Sequence, residues 1–164
     1  MGIPVYFKTL LTKHENLLIT PNNINNLFLD LNCLIHPCCR NEVDENIMIK
    51  NIKIKIEELI KLTNVSDLLY IAIDGVPPRA KMEQQIIRRI KSSKEQKIWD
   101  TNAITPGTRF MNLLNQELNS WIKTQEINII LNDSSNRGEG EHKILEYLRN
   151  NRDNLNKQNN IIYG

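Results

Sequence analysis

Short apolar runs alternate with longer amphipathic segments along this chain of 164 residues. Four of the runs have the length and β-rich composition of buried strands. They span residues 26–32, 68–74, 127–132 and 160–164. Strands that are separated by helical segments pair in parallel and need helices on both faces of the sheet. The pattern therefore predicts an α/β fold with a parallel sheet flanked by helices.

Most of the intervening segments have helical periodicity. Apolar residues recur at helical spacing in residues 105–124, and further helices are predicted over 79–97 and 141–150. Residues 46–62 are ambiguous, since their first half alternates as a strand does, whereas their length and their EELIKL ending favour a helix. The stretch NNRDNLNKQNN at 150–160 is typical of a polar connector.

Acidic residues follow the predicted strands. Asp30 ends the first run and Asp74 the second, while Asp133, Glu139 and Glu141 come after the third. Ligand sites in parallel sheets form beyond the carboxyl ends of the strands, so these acids are expected to meet at one edge. A carboxylate next to a buried strand is costly unless it is paired or bound to a cation. For Asp30 and Asp74 taken singly, capping of the following turn is an equally good interpretation.

The motif GEGEHKI, which begins at Gly138, places two carboxylates two residues apart. Inside a helix, Glu139 and Glu141 would point about 160° away from each other. They converge on one ion only if the motif is a loop entering a helix, which the glycines permit. Mg²⁺ is commonly held by few carboxylates, and a pair of such ions supports phosphodiester hydrolysis. The alternative is an acidic helix N-terminus, with His142 as a partner of the acids or as a surface histidine.

A basic cluster occupies residues 79–97, with seven basic and two acidic side chains, although the net charge of the whole chain is only +2. On a helical wheel, four polar residues of this segment share one stripe. They are Lys81, Gln85, Arg88 and Arg89. Such a stripe suits a terminal phosphate, and the alternative is a solvated basic face. Ile86, Ile87 and Ile90 lie on the opposite side and are expected to face the core.

The three cysteines, Cys33, Cys38 and Cys39, do not form a disulfide framework. One short loop that supplied them with His36 would have trouble wrapping a zinc ion, which favours reduced thiols. His36 either reaches over the acidic edge or is a structural loop histidine. No apolar run approaches the ~18 residues of a membrane span, and the N-terminus lacks a signal-peptide pattern. We therefore expect an intracellular, soluble protein without membrane partners, in the cytoplasm or the nucleus.

Taken in order, these segments resemble the N-terminal catalytic region of the XRN family of 5′→3′ exoribonucleases. The matching segments are MGIPVYF, LFLDLNCLIHPC, IAIDGVPPRAKMEQQIIRRI, WDTNAITPGTRFM, GEGEHKI and IIYG. The resemblance implies a Rossmann-like core of the PIN and FEN nuclease type. It also implies processive hydrolysis of RNA from a 5′-monophosphate end by two-metal-ion catalysis with Mg²⁺ or Mn²⁺, in RNA turnover or processing.

The resemblance carries residue roles with it. The catalytic, metal-binding acids that it implies are Asp30, Asp74, Glu139 and Glu141. The 5′-phosphate residues that it implies are Lys81, Gln85, Arg88 and Arg89, with His36 near the terminal nucleotide.

The chain also departs from the family pattern. Arg137 stands where the family usually has proline, and the spacer before WDTN is short. Gly164 precedes the segment that carries further metal-binding aspartates in the family. We therefore expect residues 1–164 to be an incomplete XRN N-terminal nuclease domain with weak or no activity alone. Two other hypotheses remain: a non-catalytic module that binds 5′-phosphorylated RNA, and a flap or PIN-like nuclease acting on DNA.

Overall fold

The computed structural model describes residues 5–14, 22–92 and 98–164, without the side chains of Arg88, Arg89, Lys91 and Ser92. Within these residues, four parallel strands form one sheet in the order β3-β2-β1-β4. The strands are β1 (Asn26–Asp30), β2 (Leu68–Ala72), β3 (Asn128–Asn132) and β4 (Asn160–Tyr163). The predicted parallel α/β sheet is confirmed, and each strand end lies within two residues of its expected position.

Helices connect the strands and flank the sheet. They are α1 (Tyr6–Lys13), α2 (Asn32–Cys39), α3 (Glu45–Thr63), α4 (Arg79–Ser92), α5 (Arg109–Ile122), α6 (Gly140–Asn150) and α7 (Arg152–Leu155), with a 3-10 helix at Thr101–Ala103. The ambiguous segment 46–62 is helical in α3, which the Asp44 side chain caps by accepting from the Asn46 N–H. Residues 93–97 of the predicted basic helix lie outside the described residues. None of the described helices is long and apolar enough to cross a membrane.

Alternation along the strands divides the core between the two faces of the sheet. Leu27 and Leu29 of β1 pack in the larger cluster with the buried sides of α2, α3 and α5. Phe28 points to the other face, where its ring centroid lies 5.9 Å from that of Tyr70 and 6.0 Å from that of Tyr147 on α6. Helix α6, which begins inside the GEGE motif, is therefore held against the sheet by aromatic packing.

The prediction that the cysteine segment is a loop is wrong, because these residues form α2. Pro37 lies inside this helix and masks it in the sequence, since proline usually ends a helix. Packing of Leu34, Ile35 and Cys39 into the core outweighs that preference. Burial raises the pKa of Cys39 to about 12, so its thiol is a neutral core group. Likewise, the polar connector at 150–160 contains the short helix α7.

The prediction that the isoleucines of α4 face the core is also wrong. Ile86, Ile87 and Ile90 are 53%, 57% and 56% exposed, whereas Lys81 and Gln85 are half-buried. The helix is amphipathic, as expected, but among its described side chains Lys81 and Gln85 are the ones turned toward the protein. The physical reason lies in the acidic edge of the sheet, where Lys81 has a carboxylate partner.

The exposure of the α4 isoleucines predicts how much an alanine substitution there lowers the free energy of unfolding, compared with one in the core. Ile56→Ala removes a side chain that is 0% exposed, so we expect a loss of about 2–5 kcal/mol in the free energy of unfolding. Ile87→Ala removes a mostly exposed side chain from a helix that favours alanine, so we expect a loss below about 1 kcal/mol. Urea denaturation of both variants checks this. A large loss for Ile87→Ala would show that the apolar face of α4 is buried after all.

Candidate functional site

Two aspartates stand side by side at the carboxyl edge of the sheet. Asp30 is the last residue of β1 and pairs in register with Ala72, and Asp74 lies two residues beyond the end of the neighbouring strand β2. Asn32 links the two. Its backbone N–H donates to Asp30 Oδ1 over 3.2 Å, and its side-chain oxygen accepts from the Asp74 N–H over 2.9 Å. Parallel pairing therefore brings both carboxylates to one place, and Asn32 fixes their spacing.

The N-terminus of α6 rests directly on these aspartates. The Gly140 N–H donates to Asp74 Oδ1 over 2.7 Å. A Cβ at Gly140 would lie 2.7 Å from Asp30 Oδ1, so a side chain there would force the Asp30 carboxylate to shift. Glu139 has extended backbone angles just before the helix, and Glu141 lies in its first turn. The GEGE motif is thus a loop that enters a helix, as its glycines predict.

A short backbone pairing holds this loop against the end of β2. The Gly75 N–H donates to the Gly138 carbonyl over 2.8 Å, and the Gly138 N–H donates to the Val76 carbonyl over 2.9 Å. A Cβ at Gly75 would lie 1.7 Å from the Asn136 carbonyl oxygen, and Gly138 has a φ of +103°, so both positions require glycine. The loop that carries Glu139 is consequently fixed relative to Asp74.

Glu139 joins the acids to the basic stripe of α4. Its Oε1 lies 3.0 Å from Lys81 Nζ, and its Oε2 lies 3.4 Å from His142 Nδ1. The residue is only 8% exposed, so this carboxylate is largely removed from water. Ligand atoms of Glu139, Glu141 and His142 all lie within 4.8 Å of one another, and this group can hold a metal ion.

Negative charge accumulates at this edge. The pKa of Asp30 is raised to about 6, first by burial and then by the neighbouring Asp74, with smaller contributions from Glu141 and Glu139. The hydrogen bond from Asn32 opposes this shift. Acids that disfavour each other's ionisation in this way provide a strong driving force for binding a cation.

A buried lysine lies beneath the acids and was absent from the sequence prediction. Lys143 is 3% exposed, and its Nζ donates to the carbonyls of Ile73 and Asp133 over 2.7 Å each. Burial lowers its pKa, whereas Asp133 and Asp74 oppose that shift. The residue ties the ends of β2 and β3 to α6. Its only signal in the sequence is its position beside Ile144 on the buried side of that helix.

The remaining predicted residues are placed less centrally. Gln85 is half-buried on the same side of α4 as Lys81, and the side chains of Arg88 and Arg89 lie outside the described part of the chain. His36 is exposed in the last turn of α2 rather than in a loop. The Asp133 carboxylate accepts from the Ser135 N–H over 3.0 Å, so it caps its own turn.

Comparison with known proteins shows the family to which the chain is similar. The chain matches the family model for the XRN 5′-3′ exonuclease N-terminus over residues 1–98 and 91–164. It is 30% identical to the 5′-3′ exoribonuclease 2 of Emericella nidulans over 235 positions, which cover 100% of this chain and 23% of that protein. Identity to the Gallus gallus enzyme of the same name is 33% over 216 positions, which cover 93% of this chain and 23% of that protein. Identity to the Cryptococcus neoformans enzyme (strain JEC21) is 36% over 171 positions, which cover 79% of this chain and 15% of that protein.

The lengths and bounds of these matches show how the chain differs from its relatives. It spans roughly a seventh to a quarter of the length of the three relatives. The alignment to the Emericella protein has 235 positions for 164 residues, so that relative contains residues that this chain lacks. The family match breaks at residues 91–98, at the end of α4, which is where the sequence has its short spacer. With both stretches together covering the whole sequence, the chain belongs to the XRN 5′-3′ exonuclease N-terminus family.

Proposed function

We propose that these residues are part of the nuclease domain of a 5′→3′ exoribonuclease that hydrolyses RNA from a 5′-monophosphate end. The observation that carries the proposal is the ion pair between Lys81 and Glu139, which joins the basic stripe to the acidic edge. An enzyme that recognises a terminal phosphate and cuts the next phosphodiester bond needs cationic and metal-binding groups side by side. The names of the relatives support the reaction class.

The proposed metal is Mg²⁺ or Mn²⁺, held by Asp30, Asp74, Glu139 and Glu141. Hard carboxylate oxygens suit these ions, and the raised pKa of Asp30 reflects negative charge that a cation would compensate. When bound, such ions supply an activated water and stabilise the leaving oxygen. Asn32, Gly140 and Lys143 hold the strand ends and α6 in position, so they orient the carboxylates without binding the metal themselves.

The proposed 5′-phosphate site consists of Lys81, Gln85, Arg88 and Arg89, with His36 beside the terminal nucleotide. Guanidinium groups bind phosphate oxygens in pairs, and an amide adds a neutral donor. Donors that surround one phosphate leave room for a monophosphate but not for a bulkier triphosphate or cap. The DNA flap alternative has less support, because the stripe RAKMEQQIIRR and the named relatives both point to RNA.

Binding by the purified 164-residue chain tests the substrate class. In Mn²⁺ we expect at least about tenfold tighter binding to 5′-phosphorylated RNA than to 5′-hydroxyl RNA, because the charged stripe contacts the terminal phosphate. Fluorescence anisotropy measures affinity, and gel analysis of the same samples detects digestion. Binding without digestion is expected both of an incomplete nuclease domain and of the non-catalytic module. Digestion by the parent chain but not by Asp74→Asn would favour the nuclease. Preference for flap DNA would contradict the proposal.

A substitution in the stripe tests recognition of the end. Arg88→Ala is expected to weaken binding to 5′-phosphorylated RNA about tenfold and to change binding to 5′-hydroxyl RNA little. Arg152→Ala removes the same side chain from α7, which lies before β4 at the opposite end of the sheet, and serves as the matched control. Equal losses for both RNA ends would leave only general attraction to the backbone.

The acidic cluster makes a prediction for metal and pH. The folded-state pKa of Asp30 is about 6 against 3.8 for a free aspartate, so its contribution to stability is fully present below pH ~4 and is lost as the pH rises through 6. Metal-free Asp30→Asn should therefore melt about 2–4 °C above the parent chain at pH 7 but not at pH 4. Mn²⁺ should raise the melting temperature of the parent chain at pH 7 much more than that of the variant.

Thermal melts with and without Mn²⁺ at both pH values measure this effect. Asp153→Asn, at an exposed position of α7, controls for loss of one negative charge elsewhere. An equal response to Mn²⁺ in Asp30→Asn and Asp153→Asn would remove Asp30 from the metal site.

A further inference from the structure

The ion pair between Lys81 and Glu139 joins two groups that the proposed function assigns to different ligands. Lys81 belongs to the phosphate stripe and Glu139 to the metal-binding acids, yet Nζ and Oε1 lie 3.0 Å apart. The two side chains are only 28% and 11% exposed, so solvent screens their attraction less than at an open surface. In the absence of ligands, each group therefore partly neutralises the other.

Both oxygens of Glu139 have cationic or potentially cationic neighbours. Oε1 faces Lys81, and Oε2 lies 3.4 Å from Nδ1 of His142. A metal ion that took Glu139 as a ligand would compete with Lys81 for the carboxylate. A phosphate that took Lys81 as a donor would compete with Glu139 for the ammonium. Either ligand releases the group that the other one needs.

We propose that the Lys81–Glu139 pair couples metal binding to 5′-phosphate binding, so that each ligand raises the affinity for the other. This inference rests on the proposed function and assigns a regulatory role within the same site. Coupling of this kind is reciprocal, because the two orders of binding lead to the same final complex. The pair disfavours a half-occupied site and favours one that holds both ligands.

The surrounding structure allows the pair to separate without moving the backbone. Lys81 is a long, flexible side chain in the first turn of α4, and Glu139 precedes α6 with an extended backbone. The backbone on either side of Glu139 is anchored by the bonds between Gly140 and Asp74 and between Gly75 and Gly138. Rotation about side-chain bonds is enough to exchange one partner for another.

The chain offers a matched control for charge. Glu141 is the same residue type two positions later, and it shares the cluster of possible metal ligands. It is exposed, whereas Glu139 is buried against Lys81. Glu139→Gln and Glu141→Gln each remove one negative charge, but only the first breaks the ion pair.

The first measurement uses metal-free protein, in which RNA remains intact. In EDTA, we expect Glu139→Gln to bind 5′-phosphorylated RNA about threefold or more tightly than the parent chain, because Lys81 is released. Its affinity for 5′-hydroxyl RNA should change no more than that of Glu141→Gln. Fluorescence anisotropy with the two RNA ends gives all of these affinities. Equal gains for the two glutamine variants would overturn the coupling, since general charge would then explain them.

The reciprocal measurement uses protein without RNA. Lys81→Met releases Glu139, so we expect Mn²⁺ to bind about threefold or more tightly by calorimetric titration. Arg79→Met removes a cation from an exposed position 200° away around the helix and controls for long-range charge. Equal Mn²⁺ affinities in these two variants would also overturn the coupling.

The outcomes separate this inference from the proposed function. If the parent chain prefers 5′-phosphorylated RNA and Glu139→Gln shows no gain, the coupling is wrong and the phosphate site stands. If the parent chain does not distinguish the two RNA ends even with Mn²⁺, the proposed function fails and the coupling fails with it. Circular dichroism melts of each variant confirm that the compared proteins are folded.

Discussion

The close approach of α6 to the ends of β1 and β2 is the contact on which the rest of the site depends. Gly140 donates to Asp74 and lies so close to Asp30 that a side chain at Gly140 would force the Asp30 carboxylate to shift. This contact places a helix N-terminus, with its unpaired N–H groups, against two carboxylates, which is electrostatically favourable. It also sets Glu139 at the same edge. The acids meet because the backbone of one helix fits between the ends of two strands.

The acidic edge that results provides the ion-pair partner of α4. An amphipathic helix ordinarily buries its apolar side, but α4 turns Lys81 toward Glu139 and leaves Ile86 and Ile87 more than half exposed. Lys81 therefore pairs with a partly buried carboxylate, while the two isoleucines remain exposed. The match to the family model is divided into two stretches that meet at residues 91–98, at the end of this same helix.

The sequence was sufficient to predict the sheet, because short β-rich apolar runs separated by helical segments reflect local constraints. Asp30, Asp74 and Glu139 meet where parallel pairing predicts that they should. Periodicity could not reveal which side of α4 faces inward, since a helical wheel shows that two faces differ but not what each face meets. Asn32 and Lys143 escaped prediction for a related reason. Their side chains bond to backbone atoms distant in the chain. Every residue has such backbone groups, so the sequence does not indicate which of them will be a partner.

A site of opposite charges that neutralise one another has consequences beyond stability. Four acids and a basic stripe, if kept apart, would each attract stray ions from solution. The Lys81–Glu139 contact gives each set an internal partner, so an isolated cation or phosphate must first displace it. Under the coupling proposed above, a phosphorylated RNA end together with a divalent ion satisfies both sets at once. In that proposal, selectivity for the correct pair of ligands arises from the Lys81–Glu139 contact that is already present in the protein.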